Sequence, residues 1–237
     1  IRRDEYDIAI ETRGDIRYLL LMSFFKSSCR VSFDLYNAGY LLDISCKQDY
    51  KQNHLIDEKL KLLQSIGCKY SEKDKYPKIN LFSNQIRQNT KYKINNNLVN
   101  KLIIGIHPGA SMKSRCWPYF TNLIKMLNIK YNNCAFLIFQ GPNESEVVRD
   151  VVQTLDNSIN FMIIETDLLN YIRIMGLCDC LICNDSSAGH IAAALDVKTF
   201  VIMGPMPTEY VKPYGRYVYT ISNDNLTCKP CYSKVCS

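Results

Sequence analysis

Within DCLICNDSSAGHIAAALDVKTFVIMG, positions 179–204, the residues able to do chemistry sit between an apolar run and a run of small residues. Asp185, Ser186 and Ser187 follow Asn184 directly, and His190 comes about one helical turn later. A carboxylate, two hydroxyls and an imidazole at a strand-to-helix turn place a fixed charge and a titratable group where an anionic ligand would bind. Amides at a helix N-terminus favour negative charge there, and phosphate is the usual anion. Each residue also has a plainer role. Asp185, Ser186 or Ser187 can cap the helix, and His190 either touches a ligand or braces the adjacent strand.

Three further polar stretches recur after apolar runs. They are His107-Pro-Gly-Ala-Ser111 with Lys113 and Arg115, then Gly141-Pro-Asn-Glu144, then Gly204-Pro-Met-Pro-Thr-Glu209. A lone HPG or NDS means little; their order and shared context carry the specificity. The elements that position them read as strand at 102–107, helix from 117 to about 131, strand at 134–140 and helix from 145 to about 155. A strand near 161–164, a helix capped by Asp167 and the central segment follow. Such alternation implies a parallel sheet with right-handed crossovers. Loops after the strand ends then share one edge, where ligands of open α/β sheets bind.

Upstream, 6–11 alternates like a strand, Asp15 caps a helix to about 26, and 29–33 forms a second strand. Positions 37–45 read as irregular. From His54 to Ile66 the apolar residues keep helical spacing, closed by Gly67. Residues 71–100 are polar, dominated by Lys and Asn, and mark a linker. Domains are therefore expected at 1–95 and 96–237.

The 237 residues are 47% apolar and 22% charged, ordinary for a globular chain with a sizeable core. The net charge of +6 is scattered. It favours phosphorylated substrates or peripheral contact with an anionic membrane surface, and it lacks the basic stripe that nucleic acid requires. The longest apolar run, 18–25, is far too short to span a bilayer, so a cytoplasmic protein is expected. Among eleven cysteines, Cys29, Cys46, Cys68, Cys134, Cys178, Cys180 and Cys183 read as core thiols. Cys228, Cys231 and Cys236 are either reduced, disulfide-paired or three ligands of a zinc site that wants four; no metal is assigned. His107 and Trp117 read as structural, Trp117 either anchoring its helix or bordering a nucleobase. Arg13, Arg17 and Arg30 read as solvated charges.

Taken together, IHPGASMKSRCWP, FQGPNESE, NDSSAGHIAAALDVKTFVIMGP and the PYG at 213–215 resemble glycosyltransferase family 9, the lipopolysaccharide heptosyltransferases. The tail LTCKPCYSKVC resembles the Cys-rich ending of part of that family, and YDIAIETRGD the latter part of its N-terminal domain. The resemblance covers nearly the whole chain, most specifically 102–236. It implies an α/β fold of GT-B type, with a complete C-terminal Rossmann-like domain holding the nucleotide-sugar and an incomplete N-terminal one on the acceptor side. It implies inverting transfer, without metal or cofactor, from a donor such as ADP-heptose to a lipid-linked saccharide of the lipopolysaccharide core. Arg115 stands where the family has a lysine beside the diphosphate, with Ser111 and Lys113 in the same loop. Glu144 would reach the nucleoside or its ribose. Asp185 would hold sugar hydroxyls, Ser186 and the following amides would meet phosphate, and Ser187 stands where glycine is usual. His190 would brace the turn or touch the ligand. The family's general base lies in a glycine-bearing loop expected upstream of Ile1, so no catalytic residue is assigned; Asp15 reads as a cap. Two outcomes stay open: a glycosyltransferase impaired in this form, or an inactive nucleotide-sugar-binding module or decayed gene product.

Overall fold

A computed structural model describes residues 5–49, 53–81, 88–89, 91–93, 95–223, 225–231 and 233. The chain divides into two compact units, Ile1–Lys75 with Glu209–Val211, and Tyr76–Thr208 with Lys212–Ser237.

The first unit carries a parallel sheet in the order β1 (Glu5–Ile10), β2 (Lys26–Phe33), β3 (Ile44–Cys46). Between β1 and β2 the chain turns at Gly14, whose φ of +70° suits glycine. It then enters α1 (Ile16–Ser23), where the Asp15 carboxylate accepts from the Arg17 amide as N-cap. α1 is shorter than expected, and β2 starts earlier. Helix α2 (Leu55–Ser65) begins at His54, whose ring Nδ1 accepts from the Ile56 amide. On α2 the buried Glu58 accepts from Asp49 N, Asn53 Nδ2 and Lys61 Nζ, so that carboxylate pins the preceding loop. Strand β3 falls in the stretch read as irregular. Three residues are too few to show a period of two.

The second unit is a six-stranded parallel sheet in the order β6-β5-β4-β7-β8-β9. Its strands are β4 (Leu102–His107), β5 (Cys134–Phe139), β6 (Phe161–Ile164), β7 (Cys180–Asn184), β8 (Lys198–Ile202) and β9 (Val218–Ile221). The intervening helices are α3 (Phe120–Lys130), α4 (Ser145–Val152), α5 (Leu168–Met175) and α6 (Ser187–Ala194). From β4 the chain builds outward one way through β5 and β6, then returns to build the other way from β7. The reversal puts the topological switch between β4 and β7. β5 is buried from end to end because elements cover both faces, as an unbroken CAFLIF run requires. Ile104, Ile106, Phe120, Ile124, Phe136 and Ile138 form the centre of one core cluster. Each such side chain contributes about 1.5–3 kcal/mol when fully buried. β9 was not expected after Gly204; it pairs with β8 through Thr199 to Ile202.

Small residues bring α6 close to the sheet. A Cβ at Gly189 would lie 3.1 Å from Pro213 Cγ and 3.2 Å from Cys183 Sγ. Cys134, Cys178 and Cys183 are buried, whereas Cys68, expected in the core, is exposed. Burial raises the Cys178 and Cys183 pKa values and pushes Cys180 up to about 11, so these thiols stay protonated at neutral pH. Cys236 lies outside the described residues.

Candidate functional site

The carboxyl ends of β4, β5, β6 and β7 open onto one cavity of about 740 Å³. Ser111 and Arg115 reach it from the β4 loop, Glu144 from the turn before α4, and Asp185, Ser186, Ser187 and His190 from the β7–α6 junction. Lys113 does not line it. It is exposed on the single 3-10 turn, Lys113–Arg115, that turns Arg115 inward. The stretch beginning at Gly204 does not line the cavity either, contrary to the expected convergence of all four loops. Gly204 instead backs the basic turn, since a Cβ there would meet Arg115 Cα at 3.2 Å and Ser114 O at 3.3 Å. The fourth wall comes from the β6–α5 connection, through Thr166, Leu168 and Tyr171.

Asn184 organises the junction. Fully buried, it accepts from the Trp117 amide at 3.0 Å and donates through Nδ2 to Pro108 O at 2.7 Å. One side chain thus ties the end of β7 to both ends of the basic loop, at the switch point. Trp117 packs edge-on against Phe120 and Tyr119 and anchors α3; it does not border the cavity.

At the end lined by the basic loop, Arg115 Nη1 lies 3.3 Å from Asp185 Oδ2. The contact is an ion pair without hydrogen-bond alignment: among the described residues Asp185 Oδ2, Arg115 Nε and Ser186 Oγ are buried and accept or donate no hydrogen bond. Buried polar groups are normally paired, so these three atoms call for a ligand. Burial raises the Asp185 pKa, opposed by Arg115 first and then by His190 and Lys229. Ser186 occupies the N-cap position of α6 but makes no side-chain cap bond, which leaves the amides of the first turn facing outward. Asp185 is therefore not the cap.

At the other end stands Glu144. Its Oε2 accepts from the Gly141 amide at 2.7 Å and lies 3.6 Å from His107 Nε2. Both glycines of the neighbouring loops are needed for this approach. A Cβ at Gly109 would sit 2.1 Å from Glu144 Cδ, and one at Gly141 2.6 Å from Oε2. His107 and Tyr171 complete the wall, joined by a 3.1 Å contact between Tyr171 Oη and His107 Nδ1. Sequence reasoning assigned neither to the site. His107 carried a weak signal as the last residue of an apolar strand; Tyr171 carried none, lying mid-helix in an apolar face. The Arg115–Asp185 pair, helix amides and hydroxyls at one end and the Glu144 carboxylate at the other can hold an elongated anion that also carries hydroxyl donors.

Among the described residues no group of three or more His, Cys, Asp or Glu side chains is placed to hold a metal ion. No helix of the described residues is long and apolar enough to cross a membrane. In the first unit Arg17 pairs with Asp15 at 2.5 Å and Arg13 lies over the Tyr18 ring, both on the surface.

Comparison with known proteins converges on one family. Over 53 residues, 22% of this chain and 15% of the other, the sequence is 40% identical to lipopolysaccharide heptosyltransferase 1 of Pseudomonas aeruginosa. The crystal structure of a glycosyl transferase family 9 protein from Veillonella parvula superposes with a TM-score of 0.78 at 19% identity, covering 93% of this chain and 64% of that one. The ADP-heptose lipopolysaccharide heptosyltransferase II of E. coli gives 0.71 at 18% identity, over 91% and 68% of the two chains. The chain thus spans less than two thirds of the first solved structure and a small part of the curated relative. The likeness extends to both parallel sheets, so the fold is that of the GT-B-type enzymes of this group. The family model for glycosyltransferase family 9 (heptosyltransferase) matches residues 1–237, and with the sheet order and the four-walled cavity it places the chain in that family.

Proposed function

We propose that residues 96–237 bind the donor of a heptosyl transfer, a nucleoside diphosphate sugar such as ADP-heptose, and that 1–95 belong to the acceptor side. The observation that carries this is the shared cavity. Arg115, the open first turn of α6 and Glu144 face one space at the switch point of a doubly wound sheet. Arg115 and the α6 amides take the diphosphate, the Arg through a bidentate fork where the family has a lysine. Asp185 holds sugar hydroxyls while orienting Arg115. Glu144 accepts from ribose hydroxyls.

In the transfer, a carboxylate base outside the donor cavity removes the proton of an acceptor hydroxyl. That oxygen forms a bond to the anomeric carbon from the face opposite the leaving group, and the bond to the diphosphate breaks with its electron pair. Charge grows on the departing diphosphate, where Arg115 and the helix amides are already in place, so they stabilise the transition state more than the ground state. The acceptor is a lipid-linked saccharide of the lipopolysaccharide core, reached on the cytoplasmic side with peripheral contact to the anionic membrane surface.

Calorimetric titration with ADP, UDP and GDP tests the donor reading, followed by a transfer assay with ADP-heptose. ADP is expected to bind and to be preferred. Equal or undetectable affinity for all three overturns the donor assignment, and binding without transfer identifies a nucleotide-sugar-binding module.

A further inference from the structure

His107 ends β4 and is buried, an unusual place for an imidazole unless both ring nitrogens are engaged. Tyr171, projecting from α5 and packed edge-on against Phe139, presents its hydroxyl to His107 Nδ1 at 3.1 Å. On the opposite side Nε2 faces Glu144 Oε2 at 3.6 Å. Burial lowers the His107 pKa, opposed by Glu144 and by a hydrogen bond to the Phe139 backbone. The neutral ring carries one N–H. With the Tyr171 hydroxyl donating to Nδ1, the ring N–H falls on Nε2, the nitrogen nearer the carboxylate.

Glu144 is thereby held from two directions. The Gly141 amide donates to Oε2, the imidazole Nε2 lies 3.6 Å from the same oxygen, and the bare backbones of Gly109 and Gly141 close around the carboxyl group. Oε1 has no donor among the described residues. A carboxylate so placed repels phosphate and takes hydroxyl donors, and the adjacent ribose hydroxyls of a nucleoside diphosphate provide a matching pair. We infer that His107 and Tyr171 are positioning residues that aim Glu144 at the ribose diol of the bound nucleotide. The inference rests on the donor reading above, including the ribose contact of Glu144, and adds the residues that hold that carboxylate in place.

A cycle between side chain and ligand tests it, with ADP and 2′,3′-dideoxy-ADP titrated calorimetrically into the same proteins. Wild type is expected to prefer ADP by about tenfold, the size of a charge-assisted hydrogen bond. Tyr171→Phe, which keeps the ring and its packing, and His107→Phe are expected to lose most of that preference, read as the ratio of the two affinities within each protein. His107→Gln, which keeps an N–H, is expected to retain more of it than His107→Phe. A merely structural role would weaken both nucleotides alike. A full preference in folded Tyr171→Phe and His107→Phe overturns the relay. If wild type binds both nucleotides equally, the ribose role of Glu144 falls with the relay while the donor cavity stands; if wild type binds neither, the donor reading itself falls.

Discussion

Strands β1 and β5 are close counterparts: six residues each, rich in apolar side chains and paired in parallel with their neighbours. Their surroundings differ. β5 has a partner on both edges and every residue buried, whereas β1 pairs only with β2 among the described residues. Its Tyr6, Ile8 and Ile10 stay 41%, 44% and 37% exposed. The interiors follow suit. The second unit builds a broad cluster around β4, β5 and α3, while in the first the described residues form small clusters around Leu19 and Met22 and around Val31, Phe33 and Leu62. The same local pattern of strand and capped helix thus yields a deep core in one place and a shallow one in the other, because burial depends on what covers a face. The cavity opens at the carboxyl ends of the strands that build the deep one. That suits it, since preorganised charges need a scaffold that does not yield.

The largest effect should come from Phe136→Ala on denaturation. It removes a fully buried ring flanked by strands on both sides, and a loss of about 3–5 kcal/mol is expected. Phe33→Ala in the first unit is expected near the low end of that range, since its smaller cluster relaxes more readily. Equal losses would erase the contrast between the two cores.

Next comes the cavity. Arg115→Ala and Asp185→Ala should each weaken binding of an ADP-sugar by about 1–3 kcal/mol, and the double variant should fall short of the sum because the two side chains share a contact. Unchanged affinity in a folded double variant would remove both assignments. Gly109→Ala should displace the Glu144 carboxylate and weaken ADP more than it lowers thermal stability. Gly67→Ala, by contrast, meets no neighbour within 4 Å yet is strained by its φ of +86°, so it should lower stability by about 1 kcal/mol and leave binding intact. A Gly109 variant with wild-type affinity would show that the two glycines do not differ in kind.

The smallest effect compares the helix caps. Asp15 in the first unit and Asp167 in the second both have lowered pKa values, Asp15 through its hydrogen bonds with Arg17 and Asp167 through the Asn170 amide. For Asp15 the fall is from 3.8 to about 2. A depressed carboxylate stabilises the fold above its unfolded pKa and loses that contribution as pH drops through the folded value. Unfolding followed between pH about 5 and about 2 should therefore show a stability loss that Asp15→Asn and Asp167→Asn each flatten. Profiles unchanged by either substitution would assign the acid sensitivity elsewhere.

Much of this architecture is readable along the chain. Apolar runs bounded by Gly, Pro and Asn mark β4, β5, β6 and β7, and Asp15 and Asp167 announce their helices, because strand burial and capping are decided within a few residues. β3 and β9 escape notice; β3, at three residues, is too short for a period to register, and β9 lacks the unbroken apolar run that marks the equally short β6. Polar residues after strand ends point to an edge site, and Arg115, Glu144, Asp185 and Ser186 are found there. Which loops meet is another matter. Lys113 and Arg115 differ by two positions, yet a 3-10 turn sends one to solvent and the other to the cavity. His107 and Tyr171 come from opposite sides of the β5 and β6 crossovers, and the buried Asn184 reaches back to Trp117 and Pro108. Residue types and spacing settle which local elements form and where charge becomes available. Only the packed sheet determines which charges face one another, since that depends on strand order and crossover, long-range choices that no short window of sequence contains.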